Sequence, residues 1–336
     1  MCIRDSIYRA RIIDAEEVFS KFSHLFTDRN CPYCGSNRHT KHDLFHNKYK
    51  IDKCSSCASI FVNPVPPPEA IDFYYNNCKS NKSYINLLSK RLHTKDINIS
   101  SKTKKLCHLI NNYASEKKVN HLRILEVGCN SGVFLSELRQ SLKILSPNLN
   151  YDLFGIDLDK TAVENNVDKR NDIQCISAEQ YIDKSQEKFD FVVHYELLEH
   201  LIDPFNFTCS INSLLVSGGI NFFTTPNEGG FDNVAIGYNK TRLLAHAIFP
   251  PMHLNAFSIS NISIISIRAL FDIVSINTPG VFDADIVKLS YKELDKKSPF
   301  KLIKTLNNEQ LGYFQSCLQL LKISSHMEVV LKKPIK

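Results

Sequence analysis

The chain has 336 residues, 43% hydrophobic and 23% charged, which is enough for one large domain and a small one around a sizeable core. Its formal charge of +6 is spread along the sequence without a basic stripe, so charge supplies no nucleic-acid footprint. No apolar run reaches the length of about 18 residues that a membrane-spanning helix needs, and even the Ser/Ile-rich stretch 257–276 is broken by Asn261, Arg268 and Asp272. Eleven cysteines behind an opening segment too polar for a signal peptide point to thiols and metal ligands in a cytoplasmic protein, not to a disulfide framework.

In chain order, residues 1–30 form an N-terminal extension, of which Met1–Ser6 carry no weight in the reading. Cys31-Pro-Tyr-Cys34 and Cys54-Ser-Ser-Cys57 are two knuckles 19 residues apart. Two tight turns at this spacing present four thiolates to one tetrahedral Zn²⁺, and an all-thiolate set is closed and structural. Gly35 eases the first turn, and His39, His42 and His46 read as surface residues. The ribbon, 31–63, runs into Pro64-Val-Pro-Pro-Pro68, an extended and stiff linker. Residues 64–120 hold that linker and connecting helices: a short one at 69–75 and helical segments within 84–119 carrying Leu87, Leu88, Leu92, Leu106, Leu109 and Ile110.

From 121 the pattern becomes alternating strands and helices. Arg123–Val127 reads as a buried strand that opens through Gly128-Cys-Asn130-Ser-Gly132 into an apolar helix start. Bare backbone at such a turn and free N–H groups at the helix end suit a ligand's close approach. Gly-x-x-x-Gly preceded by Glu126 argues against a dinucleotide and toward S-adenosylmethionine. A second strand ends in Asp157, 25 positions after Gly132, where an acid can accept both ribose hydroxyls. Residues 174–179 look like a third strand edge, with Ala178 and Glu179 bordering the adenine; 189–194 and 218–224 are the fourth and fifth strands. A helix over 257–270, a sixth strand at 272–277, a mostly helical insertion at 279–324 and a seventh, antiparallel strand at 325–333 complete the order.

On these motifs, from about Leu122 to Thr278, the chain resembles the class I S-adenosylmethionine-dependent methyltransferases. The resemblance implies an α/β fold, a Rossmann-like seven-stranded methyltransferase sheet over 121–336 with a small N-terminal zinc-ribbon module. It also implies a cofactor set of Glu126, Gly128, Asn130, Gly132, Asp157, Leu158, Ala178, Glu179 and His194, with Asn130 standing where many members carry glycine. The knuckles followed by Phe61-Val-Asn-Pro64 narrow the resemblance to zinc-ribbon methyltransferases of cell-surface sugars and nucleotide sugars, in which the ribbon covers the substrate as a lid.

Methyl transfer from a sulfonium requires in-line positioning and removal of the acceptor's proton. If a helix starts near Tyr195, then Glu196, Glu199 and His200 share one face. Two chemistries fit these three and His253. They can hold a divalent ion, Mg²⁺ or Mn²⁺, that lowers the pKa of an acceptor hydroxyl, as in the quinone-precursor and RNA 3′-end O-methyltransferases the run resembles. Alternatively His253, with His200 and Glu199, performs the proton transfer directly. In the sugar C-methyltransferases a tyrosine and a glutamate occupy the positions of Pro250 and Met252. Glu199–His200 bracing the chain is the purely structural alternative. Thr224-Thr-Pro-Asn227 is not the Asn-Pro-Pro-Tyr of base N-methylation, and Tyr238 and His246 read as packing or binding residues of a loop at 228–256. The expected function is transfer to a hydroxyl or activated carbon of a sugar or related small metabolite, with nucleic acid disfavoured as partner. An RNA methyltransferase gripping its substrate through Lys41, Lys48, Lys50 and Lys53, or a non-catalytic cofactor-binding module, are the alternatives.

Overall fold

The computed structural model describes residues 3–45, 48–78, 80, 101–236, 247–290, 292, 294 and 298–335. His46, Leu87, Leu88, Leu92, Tyr238 and His246 lie outside them. A long helix α1 (Ile3–Phe22) leads to the hairpin β1 (His39–Phe45) and β2 (Tyr49–Cys54), then β3 (Ile60–Val62) and α2 (Pro68–Asn77). Pro68 starts α2 at a position where its missing N–H costs nothing. Helix α3 (Ser101–Lys117) precedes the large sheet.

That sheet is built from β4 (His121–Val127), α4 (Val133–Leu145), β5 (Asn150–Asp157), α5 (Lys160–Glu164), β6 (Asp172–Cys175), α6 (Ala178–Lys184), β7 (Phe189–Tyr195), α7 (Pro204–Leu214) and β8 (Leu215–Pro226). The chain continues through α8 (Phe231–Ile236), β9 (Asn255–Ala256), α9 (Ile259–Arg268) and β10 (Asp272–Asn277). It ends with α10 (Asp283–Leu289), α11 (Asn308–Leu320) and β11 (His326–Lys332). The seven strands run in the order β10-β11-β8-β7-β4-β5-β6. Strands β4 to β8 pair in parallel, while β11 pairs antiparallel with both β8 and β10. Near-continuous burial of Leu122–Val127 and of Phe189–His194 is what a parallel strand covered on both faces requires. Strand order reverses between β4 and β7, so a crevice opens beyond their carboxyl ends.

The third expected strand ends earlier than the sequence suggests. Ser177 caps α6 in a reciprocal box with Gln180, which draws Ala178 and Glu179 into the helix's first turn. The proline segment is tied to the rest of the chain at Val65. Strand β3 pairs antiparallel with β2 on one side and with β9 on the other, giving a second sheet ordered β1-β2-β3-β9, and Val65 exchanges backbone hydrogen bonds with Thr27. Tyr33, Cys54 and Phe61 of the ribbon belong to one buried cluster with Phe257, Ile262 and Phe223 of the large sheet's side.

Candidate active site

After β4 the chain turns on Gly128 (φ +77), Asn130 (φ +50) and Gly132 (φ +74). A Cβ on Gly132 would lie 2.4 Å from the Ile173 side chain, so glycine is required for space as well as for backbone angle. Asn130 is among the residues best suited to the left-handed region, and its Oδ1 accepts from Ser131 N at 2.9 Å. Gly132 caps α4 without a side-chain hydrogen bond. Asp157 at the end of β5 accepts from Asn130 N at 2.7 Å through Oδ2 and from Asp159 N at 2.8 Å through Oδ1. Its carboxylate therefore fixes the turn, while each oxygen keeps a further lone pair. Leu158 is 73% exposed, Ala178 is buried and Glu179 half-buried.

Glu126 lies 4% exposed beneath this turn with no hydrogen-bond partner on Oε2, and burial pushes its carboxyl up to about 8. The nearby cation is Lys102 of α3, which the sequence reading did not single out. Burial brings its amine down to about 8 against the pull of Glu126, Glu196 and Glu137. Its Nζ sits 3.0 Å above the Tyr195 ring and 4.9 Å from that of Phe134. His194 does not join this group. Strand alternation turns it to the opposite face, stacked 4.6 Å from Phe223 and edge-on to Phe207, and burial drops its pKa to about 3. It is a neutral core residue.

The segment after β7 is not the expected helix. Tyr195 still pairs with Thr224, and Glu196 takes φ +48 with its N–H on the Thr224 carbonyl. Only Leu198–His200 coil, as a 3₁₀ turn. Glu196 and Glu199 are thereby parted. Glu196 accepts from Thr224 Oγ1 at 2.8 Å and pairs with His326 Nδ1 at 3.5 Å. Burial would raise its carboxyl, but His326 and Thr224 outweigh that and hold it below the usual range.

Glu199, His200 and His253 do converge, with one ligand atom from each within 4.8 Å of the others. Glu199 is 1% exposed; its Oε2 accepts from Thr225 Oγ1 at 3.0 Å and its Oε1 has no hydrogen-bond partner. Burial, and then the Glu196 charge, raise its carboxyl well above the ordinary value. His200 Nδ1 lies 2.9 Å from the Met252 carbonyl and 2.8 Å from Tyr75 Oη. A carbonyl can only accept, so Nδ1 carries the proton and Nε2, 3.9 Å from Glu199 Oε1, keeps its lone pair. Burial lowers the His200 pKa, in keeping with a neutral ring. The His253 ring stands edge-on to it at 4.7 Å. Tyr75 arrives from α2, 125 residues earlier, a contact that no local sequence signal announces. Leu197 lies 3.4 Å from where a Cβ on Gly128 would be, so this cluster borders the cofactor turn.

In the ribbon, Cys31, Cys34, Cys54 and Cys57 bring their Sγ atoms within 4.8 Å of one another, with Cys31–Cys57 and Cys34–Cys54 each at 3.6 Å. Four sulfurs about 2.3 Å from a tetrahedral Zn²⁺ stand about 3.8 Å apart, so the set fits the ion. Each knuckle turns on a left-handed residue directly after its second cysteine, Gly35 and Ala58. Burial raises Cys54, but N–H groups of Ser56 and Cys57 and the neighbouring thiols outweigh it and bring the thiol down to about 7. Of the four residues expected to hold a second metal, Glu199, His200 and His253 could hold a divalent ion with open positions, and Glu196 stands outside them.

A family model described as a methyltransferase domain matches residues 99–275, just over half of the chain. Among curated relatives, the ubiquinone biosynthesis O-methyltransferase of Nitrosococcus oceani is 32% identical over 114 residues, covering 32% of this chain and 44% of that protein. The mitochondrial protein of the same name from Homo sapiens is 31% identical over 136 residues, covering 37% and 34%. The chain thus spans less than half the length of these relatives. Among solved structures, the plantazolicin methyltransferase BamL, with a desmethyl analogue and SAH bound, aligns at TM-score 0.48 and 13% identity over 78% of this chain and 94% of that one.

Proposed function

From the premise that the chain belongs to the methyltransferase-domain family, we propose that it moves a methyl group from S-adenosylmethionine to a hydroxyl or activated carbon of a sugar or related small metabolite. The observation that carries the reading is the Tyr75–His200–His253–Glu199 cluster beside the glycine turn, with Glu199 and His253 buried. In this reading Asp157 would hold the cofactor's ribose, Glu126 and Lys102 its amino-acid portion, and Leu158, Ala178 and Glu179 its adenine. When bound, the cofactor would supply an electrophilic methyl group, and His253 would take the proton that the acceptor's hydroxyl or activated carbon gives up. His200, neutral and oriented by the Met252 carbonyl, and Glu199 stabilise the charge that arises on His253.

The three groups would also hold Mg²⁺ or Mn²⁺, which supplies Lewis-acid activation of a hydroxyl when bound. The curated relatives are O-methyltransferases by name, which favours the hydroxyl branch. The ribbon would carry a structural Zn²⁺. Of the lysines that an RNA-binding ribbon would use, Lys50 is paired with Asp52 at 3.1 Å. The test is transfer of a labelled methyl group to nucleotide sugars, polysaccharide precursors, phenolic hydroxyls and RNA, each after mild chelation and after adding back Mg²⁺ or Mn²⁺. Labelling of a hydroxylated small molecule supports the proposal. Labelling of RNA alone overturns it.

A further inference from the structure

Just before the ribbon, Arg29 reaches the two segments that carry the acceptor cluster. Arg29, two residues before the first knuckle, directs its guanidinium into a nest of oxygens drawn from three separate segments. Its Nε donates to the Val62 carbonyl at 3.2 Å, its Nη1 to the Ile202 carbonyl at 2.7 Å, and its Nη2 to the Leu254 carbonyl at 3.2 Å and to Asn255 Oδ1 at 3.0 Å. Ile202 is two residues after His200, and Leu254 directly follows His253. Backbone bonds tie the same segments together: Val62 N to the Leu254 carbonyl at 2.9 Å and Leu254 N to the Glu199 carbonyl at 2.8 Å. Asn255 Nδ2 donates to the Leu201 carbonyl at 2.7 Å. Tyr33, inside the first knuckle, donates toward the Ile60 and Ala256 carbonyls, and Arg268 reaches back to the Tyr33 carbonyl.

None of these four oxygens belongs to a carboxylate. A planar fork with five N–H groups is what spans oxygens on three separate segments at once; an ammonium on a flexible stem cannot. We infer that Arg29 is a positioning residue, locking the loops of His200 and His253 onto the ribbon so that the ribbon forms a fixed wall of the acceptor site instead of a moving lid. Thiolate ligation at Cys31, two residues along, then holds Arg29 itself in place. Ribbon and acceptor cluster become one mechanical unit, while the glycine turn and Asp157, which Arg29 does not touch, are left alone. The inference rests on the acceptor-side assignment above.

The test uses the whole 336-residue chain, zinc-loaded, and peptide-resolved hydrogen exchange, which needs no acceptor. In Arg29→Ala, peptides covering 198–204 and 249–256 should exchange about tenfold faster or more, and those covering 121–135 should not change. Affinity for S-adenosylhomocysteine should stay within about twofold. Added guanidinium should restore protection to Arg29→Ala, and an equal concentration of ammonium should not; Arg29→Lys should behave like Arg29→Ala. With an acceptor in hand, kcat should fall while KM for the methyl donor holds. Unchanged exchange at both loops, rescue by ammonium as good as by guanidinium, or loss of S-adenosylhomocysteine affinity in step with the loops each overturns the inference. Failure to find an acceptor shows only in the transfer assay, so the two readings fail separately.

Discussion

Replacing Gly132 with alanine isolates what the cofactor turn demands of its backbone. The residue sits at φ +74, where a β-carbon costs about 1–2 kcal/mol. The new methyl would stand 2.4 Å from Ile173 Cδ1 and 3.3 Å from Asn166 Oδ1, so Ile173 must leave its rotamer or β6 must shift, about 1–2 kcal/mol more. A loss of about 2–4 kcal/mol is expected in urea unfolding, with the slope of the transition preserved. Gly312 is the control: it lies exposed in α11 with nothing within 4 Å of an added Cβ, so alanine there should add about 0.5–1 kcal/mol. If, as proposed, the same turn presents amides to the cofactor, Gly132→Ala should also weaken S-adenosylhomocysteine binding, and Gly312→Ala should not. Gly132→Ala within about 0.5 kcal/mol of the parent, alongside a destabilised Gly312→Ala, would refute the argument from space and backbone angle.

Ejection of metal from the ribbon by a thiol reagent should release about one Zn²⁺ per chain and expose β3 and β9 to exchange together, because Ile60 and Phe61 pair with Ala256 and Asn255. The Glu196–His326 pair predicts a pH effect. Burial lowers the His326 pKa, but Glu196 outweighs it and lifts the value above 6.5, so its stabilisation is complete below pH 6.5 and lost as pH rises through the folded value. Glu196, held below 4.5, contributes above pH 4.5 and loses that contribution as pH falls through its folded value. Both side chains are more than a third exposed, so the pair is worth under about 1 kcal/mol. His326→Gln should remove the difference in urea stability between about pH 5.5 and about pH 8.5 that this pair supplies; an unchanged difference would count against the pair.

The sheet and the glycine turn after β4 were legible in the sequence because buried parallel strands and left-handed glycines leave local marks. Leu122–Val127, Gly128, Gly132 and Asp157 fall where that reading puts them. The four cysteines were legible by spacing alone. What failed was the step from i, i+3, i+4 spacing to a helix at 195–200. Strand β7 runs one residue further, Glu196 turns left-handed, and burial of Glu199 against Thr225 and the Leu254 amide decides the backbone there. His194 carried a polar label in a position whose strand parity sends it into the core. Lys102, Tyr75 and Arg29 act across chain separations that no periodicity records, and His326 reaches Glu196 only because β11 returns antiparallel beside β8.

The central claim is tested most directly by calorimetry of S-adenosylmethionine and S-adenosylhomocysteine binding to the parent chain and to Asp157→Ala. Asp157 accepts from two turn amides and, on this account, from the ribose, so both ligands should bind the parent and weaken by about 30-fold or more in the variant. No heat from the parent with either ligand, or equal affinity in Asp157→Ala, would contradict the account.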